Sequence, residues 1–321
     1  MESLDWNLVF ERFAYETGTR FYPGGRQSQV PTPPDEGRSP KPDDESENVS
    51  ISTKFGPNAN LHCHPPDLLL SSSDSVRFYV HSDIVLGASN NGFRFLVPTS
   101  APKLQKRSIS VPEHSSILGL ILHMVYGISC SPYVPPLDVL SEAIDRLALY
   151  GLHAHCLIQT GTPFYASILA HVPFSPMDVY ILAAKHRLHE LAVSASSHLI
   201  SFSLSKITDR MAEEMGPEYL RKLFFLHLGR SSALKELLLE PPRLHAVNHF
   251  CSRTDQRSLT RAWALASAYL AWDARADVSA GFLEATLNPL VKDISCEQCR
   301  QSLHERIKNL LDRWAEVKCT I

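Results

Sequence analysis

Cys296-Glu297-Gln298-Cys299 is the stretch of this chain whose residue types and spacing speak most directly of chemistry. Two thiolates at this spacing can grip one zinc ion, and structural zinc requires four ligands in a closed tetrahedral shell. Cys251 is the candidate third ligand, and His249 or His304 the candidate fourth. A single Cys-x-x-Cys is a weak pattern. The preferred reading is therefore two cysteines at a helix start, in a cluster that lacks its fourth ligand. No strand–helix–strand context surrounds the pair, which argues against a thioredoxin-type redox role.

The other reactive residue types carry less. His62-Cys63-His64 is crowded, but it sits beside Pro65-Pro66 with nothing to fix its geometry, so a solvated segment is expected. His81 ends an alternating run and reads as a structural residue that bonds backbone groups of the following helix. Glu213-Glu214 reads as a solvated helix end, since paired carboxylates serve catalysis only inside a cleft. Gly24-Gly25 is not followed by Gly-Lys-Ser/Thr, and neither a G-x-S-x-G nor an H-E-x-x-H pattern occurs. Trp263, Trp272 and Trp314 fall on or near apolar stripes and are expected in the core. No catalytic residue is assigned, and no cofactor is expected beyond the candidate structural zinc.

The elements that must position these residues follow from composition and periodicity. The chain has 321 residues, 44% apolar and 20% charged, with a formal net charge of −3, which suits an ordinary globular protein and not a basic nucleic-acid binder. The amino-terminal residues lack the basic and apolar regions of a secretory signal, and no apolar run reaches the roughly 20 residues that span a bilayer. Seven cysteines, an odd number scattered along the chain, do not form a disulfide framework. An intracellular, cytoplasmic or nuclear protein is expected, where the Asn48-Val49-Ser50 sequon carries no meaning.

Leu4, Leu8, Val9 and Phe13 suggest one short helix. From Phe21 to Asn60 there is no Leu, Met or Trp, and Pro, Ser, Asp, Glu and Gly dominate. Residues 1–64 are therefore expected to be largely disordered, with Thr32-Pro33 and Ser39-Pro40 as candidate phosphorylation sites. Order is expected from about Pro66. Leu68–Leu70 and the alternating Val76, Phe78 and Val80 predict a hairpin turning at Ser73-Asp74-Ser75. Short helices follow, one capped by Ser82 and one from Ser89 through Phe93 to Leu96. A third strand at Ile109–Val111 precedes an almost wholly apolar, central helix from about Ser115. Leu137, Leu140, Ile144 and Leu147 mark a further helix closed by Gly151. Beyond Phe164 only helical stripes appear, among them Met177–Leu191, Leu259–Leu270 and Leu303–Val317.

In this order, the segments resemble a BTB/POZ domain. Asp67-Leu68-Leu69-Leu70 is similar to that family's opening strand, and Ser73–His81 to its second strand, which ends in His. Leu86-Gly87-Ala88-Ser89 with Phe93, Val111-Pro112-Glu113-His114-Ser115, Leu118–Tyr126 and Leu147–Leu152 are similar to its later landmarks. The remainder resembles the C-terminal half of a large fungal set of BTB proteins, from Val179-Tyr180 to Leu188 and on to two Cys-x-x-Cys pairs. Here Thr254 stands where the second Cys of the first pair would be.

The resemblance implies an α+β BTB/POZ domain over residues 65–160, with a small sheet and helices, followed by an all-α domain over 161–321. It implies a non-catalytic protein–protein interaction module, with protein partners that include a second copy of the chain, while the charge balance and the lack of a spanning apolar run argue against nucleic acid and membrane as partners. Ile84, Val85 and Phe93 are the candidate contacts of such a homodimer. A zinc-stabilised C-terminal domain anchored by the BTB part is the alternative. A cullin-RING substrate adaptor is a third reading, although the loop Val97–Arg107 lacks the φ-x-Glu motif that such adaptors carry.

Overall fold

The computed structural model describes residues 50–97, 107–130, 134–292 and 294–321. The short helix expected near Leu4–Phe13, the sequon asparagine, both Ser/Thr-Pro dipeptides and most of the Val97–Arg107 loop lie outside the described residues.

The chain opens into a three-stranded sheet with the order β2-β1-β3. β1 (Leu68–Ser71) pairs with β2 (Arg77–Val80) as an antiparallel hairpin, and with β3 (Arg107–Ser110) in parallel. The register sets Leu68 opposite Val80 and Leu70 opposite Phe78, so all four side chains share the buried face. The period-2 pattern demands this, because successive side chains of a strand alternate between faces.

Order begins earlier than the composition suggests. Residues 50–55 run beside β2, with Arg77 N donating to Ser50 O and Tyr79 N to Phe55 O. Phe55 is fully buried and packs its ring against Phe78, His123 and Tyr126. One large aromatic in a polar segment suffices to anchor it, and the contact also covers an otherwise open sheet edge.

Two short elements follow, α1 (Ser82–Ala88) and α2 (Gly92–Phe95). The expected right-handed helix from Ser89 to Leu96 is replaced by a single left-handed turn, with φ between 53° and 65° from Gly92 to Phe95. Left-handed residues with a Cβ cost about 1–2 kcal/mol each. Offsetting this, Phe93 is fully buried with its ring 4.5 Å from that of Tyr150. Ser89 Oγ accepts from Phe93 N and donates to Tyr150 O, both at 2.7 Å, which ties the turn to the chain before Gly151.

α3 (Ser115–Tyr126) is the expected central helix, with Ile117, Leu118, Leu120, Ile121, Leu122 and Met124 buried and Gly127 closing it at φ 64°. α4 (Leu137–Leu147) packs on it, and Gly151 follows in the left-handed region, at φ 66°. The helical remainder comprises α5 (Ala154–Leu157), α6 (Pro163–Leu169), α7 (Pro176–Lys185), α8 (His189–Ser196), α9 (Asp209–Leu239), α10 (Arg253–Trp272), α11 (Ala280–Leu287) and α12 (Glu297–Glu316). α9 is kinked at Gly216-Pro217, where the glycine adopts φ 72°. None of the described helices is long and apolar enough to cross a membrane.

The expected boundary at 160/161 has no counterpart in the packing. One apolar core runs from Phe55 to Leu223 and joins the sheet to α6, α7 and α8. A second core runs from Leu234 to Trp314, and α9 contributes to both. Residues 48–321 form one compact unit. The break falls inside a helix, and no linker composition marks it.

Two carboxylates tie the sheet to its helices. Asp67, just before β1, accepts from Ser82 N at 2.8 Å and Ser82 Oγ at 2.5 Å, capping α1. Asp74, in the hairpin turn, does the same at α3, accepting from Ser115 N at 2.8 Å and Ser115 Oγ at 2.6 Å. Ser82 is thus not itself the cap, since an acidic side chain from the neighbouring strand reaches the helix end first. Burial opposes ionisation of Asp74, yet hydrogen bonds from Ser115 and Ser72 outweigh it and bring the carboxyl down to about 2. A depressed folded-state value stabilises the protein above the unfolded value and loses that contribution as pH falls toward 2. Asp74→Ala should therefore cost about 1 kcal/mol at neutral pH, the usual worth of a cap. Its deficit relative to wild type should shrink between pH 5 and pH 2, read from urea midpoints across that range.

Candidate metal centre

The connection from α9 to α10 carries two of the donors, and the start of α12 carries the other two. At the carbonyl end of α9, Trp263 Nε1 donates to Leu238 O, while Arg306 donates through Nε to Glu240 O and through Nη2 to Leu237 O. The chain then leaves along α12. Ser302 Oγ donates to Arg243 O at 2.6 Å, and Gln256 Nε2 to His245 O at 3.0 Å. A tight turn follows, in which Asn248 and Cys251 exchange both backbone hydrogen bonds. Ser252 and Asp255 form a reciprocal capping box that starts α10 immediately after Cys251.

These constraints bring four side chains together: His245, Cys251, Cys296 and Cys299. Their donor atoms all lie within 4.8 Å of one another. His245 Nε2 is 3.3 Å from both Cys296 Sγ and Cys299 Sγ, and Cys251 Sγ is 3.7 Å from Cys299 Sγ. Cys251 and Cys299 are buried in the second core, while His245 and Cys296 are partly exposed. Cys296 is the N-cap of α12 and Cys299 lies in its first turn.

The electrostatics of the pair are asymmetric. The backbone N–H of Cys299 donates to Cys296 and, with the Cys251 thiol and His245, brings the Cys296 thiol down to about 7 against a smaller effect of burial. Burial, reinforced by the neighbouring Cys251 and Cys296 sulfurs, pushes the Cys299 thiol up to about 12.

Three of the four members, Cys251, Cys296 and Cys299, were legible from the sequence. The fourth is a correction, because His245 occupies the position that His249 and His304 were expected to compete for. His249 is exposed within the Asn248–Cys251 turn. His304 is exposed on α12, with Nδ1 bonded to Arg300 O. His62-Cys63-His64 also groups its donor atoms, but all three residues are exposed.

The remaining candidates are placed as follows. Val85 and Phe93 are fully buried, so they have no area left to offer a partner, and Ile84 is half-buried. His81 is buried, its Nδ1 2.9 Å from Tyr126 Oη at the end of α3 and its Nε2 2.9 Å from His64 O, so its ring joins α3 to the preceding segment instead of bonding backbone groups of α1. Glu214 pairs with Arg210 at 2.9 Å on the surface of α9. Trp263 and Trp314 are core residues, whereas Trp272 is 93% exposed, against expectation. Comparison with family models, with curated proteins and with solved structures finds no match to this chain.

The burial pattern predicts thiol reactivity in native, reduced protein. Exposed Cys63, Cys156 and Cys319 should be alkylated quickly by a maleimide, and buried Cys251 and Cys299 only after denaturation. Peptide mass mapping of a time course reads this directly, and early labelling of Cys251 and Cys299 would contradict the packing.

Proposed function

We propose that this chain is a non-catalytic protein–protein interaction module, with a BTB/POZ-like part around the sheet and a second binding surface on the helices that follow. The order of hairpin, short turns, third strand and buried helix supports the first half of this reading. Several polar groups that could do chemistry are also committed to structural bonds. Buried Glu113, for example, accepts from Tyr150 Oη at 3.2 Å and lies between Arg94 and Arg146.

The observation that carries the reading is the outward face of α10. Arg253, Arg257, Arg261, Leu265 and Tyr269 follow one another at four-residue spacing, with Trp272 one turn further on, so they form a single ridge. Leu265, Tyr269 and Trp272 are 75%, 67% and 93% exposed. Such a run of large apolar side chains in water is unfavourable for a free surface and is what a binding surface requires. The three arginines are exposed as well, and none makes an ion pair among the described residues. Arg253 is the first residue of the helix, where the dipole disfavours a cation. Beside Trp272, a hollow of about 310 Å³ opens between the end of α10 and Phe282.

Positive charge at one end and an aromatic hollow at the other fit one kind of occupant. This is an acidic segment of a partner protein that carries a bulky apolar residue, set antiparallel or parallel along α10. Selection from a displayed library of 16-residue peptides should enrich acidic, aromatic sequences on the wild-type chain. Tyr269→Ser/Trp272→Ser should abolish the enrichment, and Arg257→Glu/Arg261→Glu should weaken it most at low salt. Enrichment without acidic character, or enrichment unchanged by the Tyr269/Trp272 pair, would reject the α10 surface. Light scattering at tens of micromolar tests the BTB-like half, for which a dimer is expected. A clean monomer would remove self-association.

A further inference from the structure

We infer that His245, Cys251, Cys296 and Cys299 form a closed structural zinc site that clips the α9–α10 connection to the start of α12. The inference goes beyond the interaction reading and does not depend on it.

Three features of the geometry carry it. The first is the spacing of the donors. Tetrahedral zinc with Zn–S near 2.3 Å and Zn–N near 2.0–2.1 Å places its sulfurs about 3.8 Å apart and nitrogen about 3.5 Å from sulfur. The observed 3.7 Å between Cys251 and Cys299 sulfurs, and 3.3 Å from His245 Nε2 to the sulfurs of Cys296 and Cys299, are those edges to within a few tenths of an ångström.

The second is the state of the imidazole. His245 Nδ1 lies 2.7 Å from Ala246 O. A carbonyl can only accept, so Nδ1 carries the proton, and in the neutral ring the lone pair is on Nε2, the atom that faces the sulfurs. A backbone carbonyl behind the ring is the usual outer partner of a metal-bound histidine.

The third is the backing of each ligand. Cys251 closes a two-hydrogen-bond turn just ahead of α10, and Cys296 and Cys299 sit on the amino-terminal turn of α12. Asn248 Nδ2 reaches Gln298 Oε1 at 3.4 Å, joining the two halves of the site. All four positions of a tetrahedron are filled by protein, which leaves no place for water or substrate and makes the site structural rather than catalytic.

The class of metal follows from the donor set. Three soft thiolates and one imidazole in a tetrahedral arrangement select zinc over the hard, oxygen-preferring cations. Each bound thiol gives up its proton to solvent, so binding releases three protons and leaves three thiolates, one neutral imidazole and the ion with a net charge of −1. Mechanically, the ion would hold together segments that are 45 residues apart in sequence, from Cys251 to Cys296 (296 − 251). It would also hold α12 against the base of α10, the helix that carries the exposed ridge.

The full-length chain, purified under reducing conditions and reconstituted with zinc sulfate, should contain one zinc per chain by elemental analysis. It should protect Cys296, the partly exposed thiol of the cluster, from a disulfide reagent under native conditions until a strong chelator is added. Cobalt(II) in place of zinc should give the visible bands of a tetrahedral site with thiolate charge transfer. His245→Ala should lose stoichiometric metal, whereas His249→Ala and His304→Ala should retain it. Should His245→Ala fail to fold, His245→Cys, which offers a fourth thiolate, should fold and keep one zinc. Zinc well below one per chain after reconstitution, octahedral cobalt spectra, a Cys251–Cys299 disulfide in place of metal, or metal retained by His245→Ala but lost by His249→Ala would each overturn the assignment.

Discussion

The carbonyl end of α9 decides the arrangement of the C-terminal half. A helix leaves its last carbonyls without intrahelical donors, and at α9 two buried side chains from later in the chain supply them: the Trp263 indole and the Arg306 guanidinium. Arg306 brings a cation to the negative end of the helix dipole and stacks 5.4 Å over the Trp263 ring, so charge, hydrogen bonding and packing act at one point. A parallel arrangement holds the other side of the same core. Arg230 donates to Ala276 O and Val317 O and stacks 4.4 Å over Trp314, whose indole donates to Val278 O. Burial lowers the pKa of both guanidinium groups, the cost of holding a cation away from water. The carbonyls that receive them offset that cost.

From this point the course of the chain follows. Once α9 ends against Arg306, the next residues run between α12 and α10, where Ser302 of α12 donates to the Arg243 carbonyl and Gln256 of α10 to that of His245. His245 therefore faces α12, while His249, in the turn beyond, faces water. The four-donor cluster is thus a consequence of how a helix end is satisfied. It lies at the base of α10, and the exposed Arg–Leu–Tyr–Trp ridge is the opposite face of the helix whose buried face carries Leu259, Trp263 and Leu270. The binding surface proposed on α10 is only as well placed as the contacts behind it, which are the second core and the cluster.

The sheet half rests on a simpler device. Asp67 and Asp74, one on each side of β1, cap α1 and α3, so the position of one strand sets the start of two helices. Phe55 then closes the β2 edge, and the shared core carries the packing on through α7 and α8 into the first part of α9. α9 belongs to both cores, which makes the halves one unit mechanically, even though their sequence patterns change character near residue 160.

By itself, the sequence determined which segments are helices and strands wherever one face is buried: the alternation of Val76, Phe78 and Val80, the apolar run of α3, and the stripes of α7, α10 and α12. It also determined the closing glycine at 151 and three of the four cluster members. Periodicity and backbone sterics act over a few residues, so these features are written locally. Tertiary structure alone decided the left-handed turn at Gly92–Phe95, the burial of Phe55, the exposure of Trp272 and the choice of His245 over His249 and His304. The turn, Phe55 and His245 each depend on a partner distant in the chain, whether Tyr150, Phe78 and Tyr126, or Arg306 and Ser302. No spacing rule within the segment encodes where that partner will be.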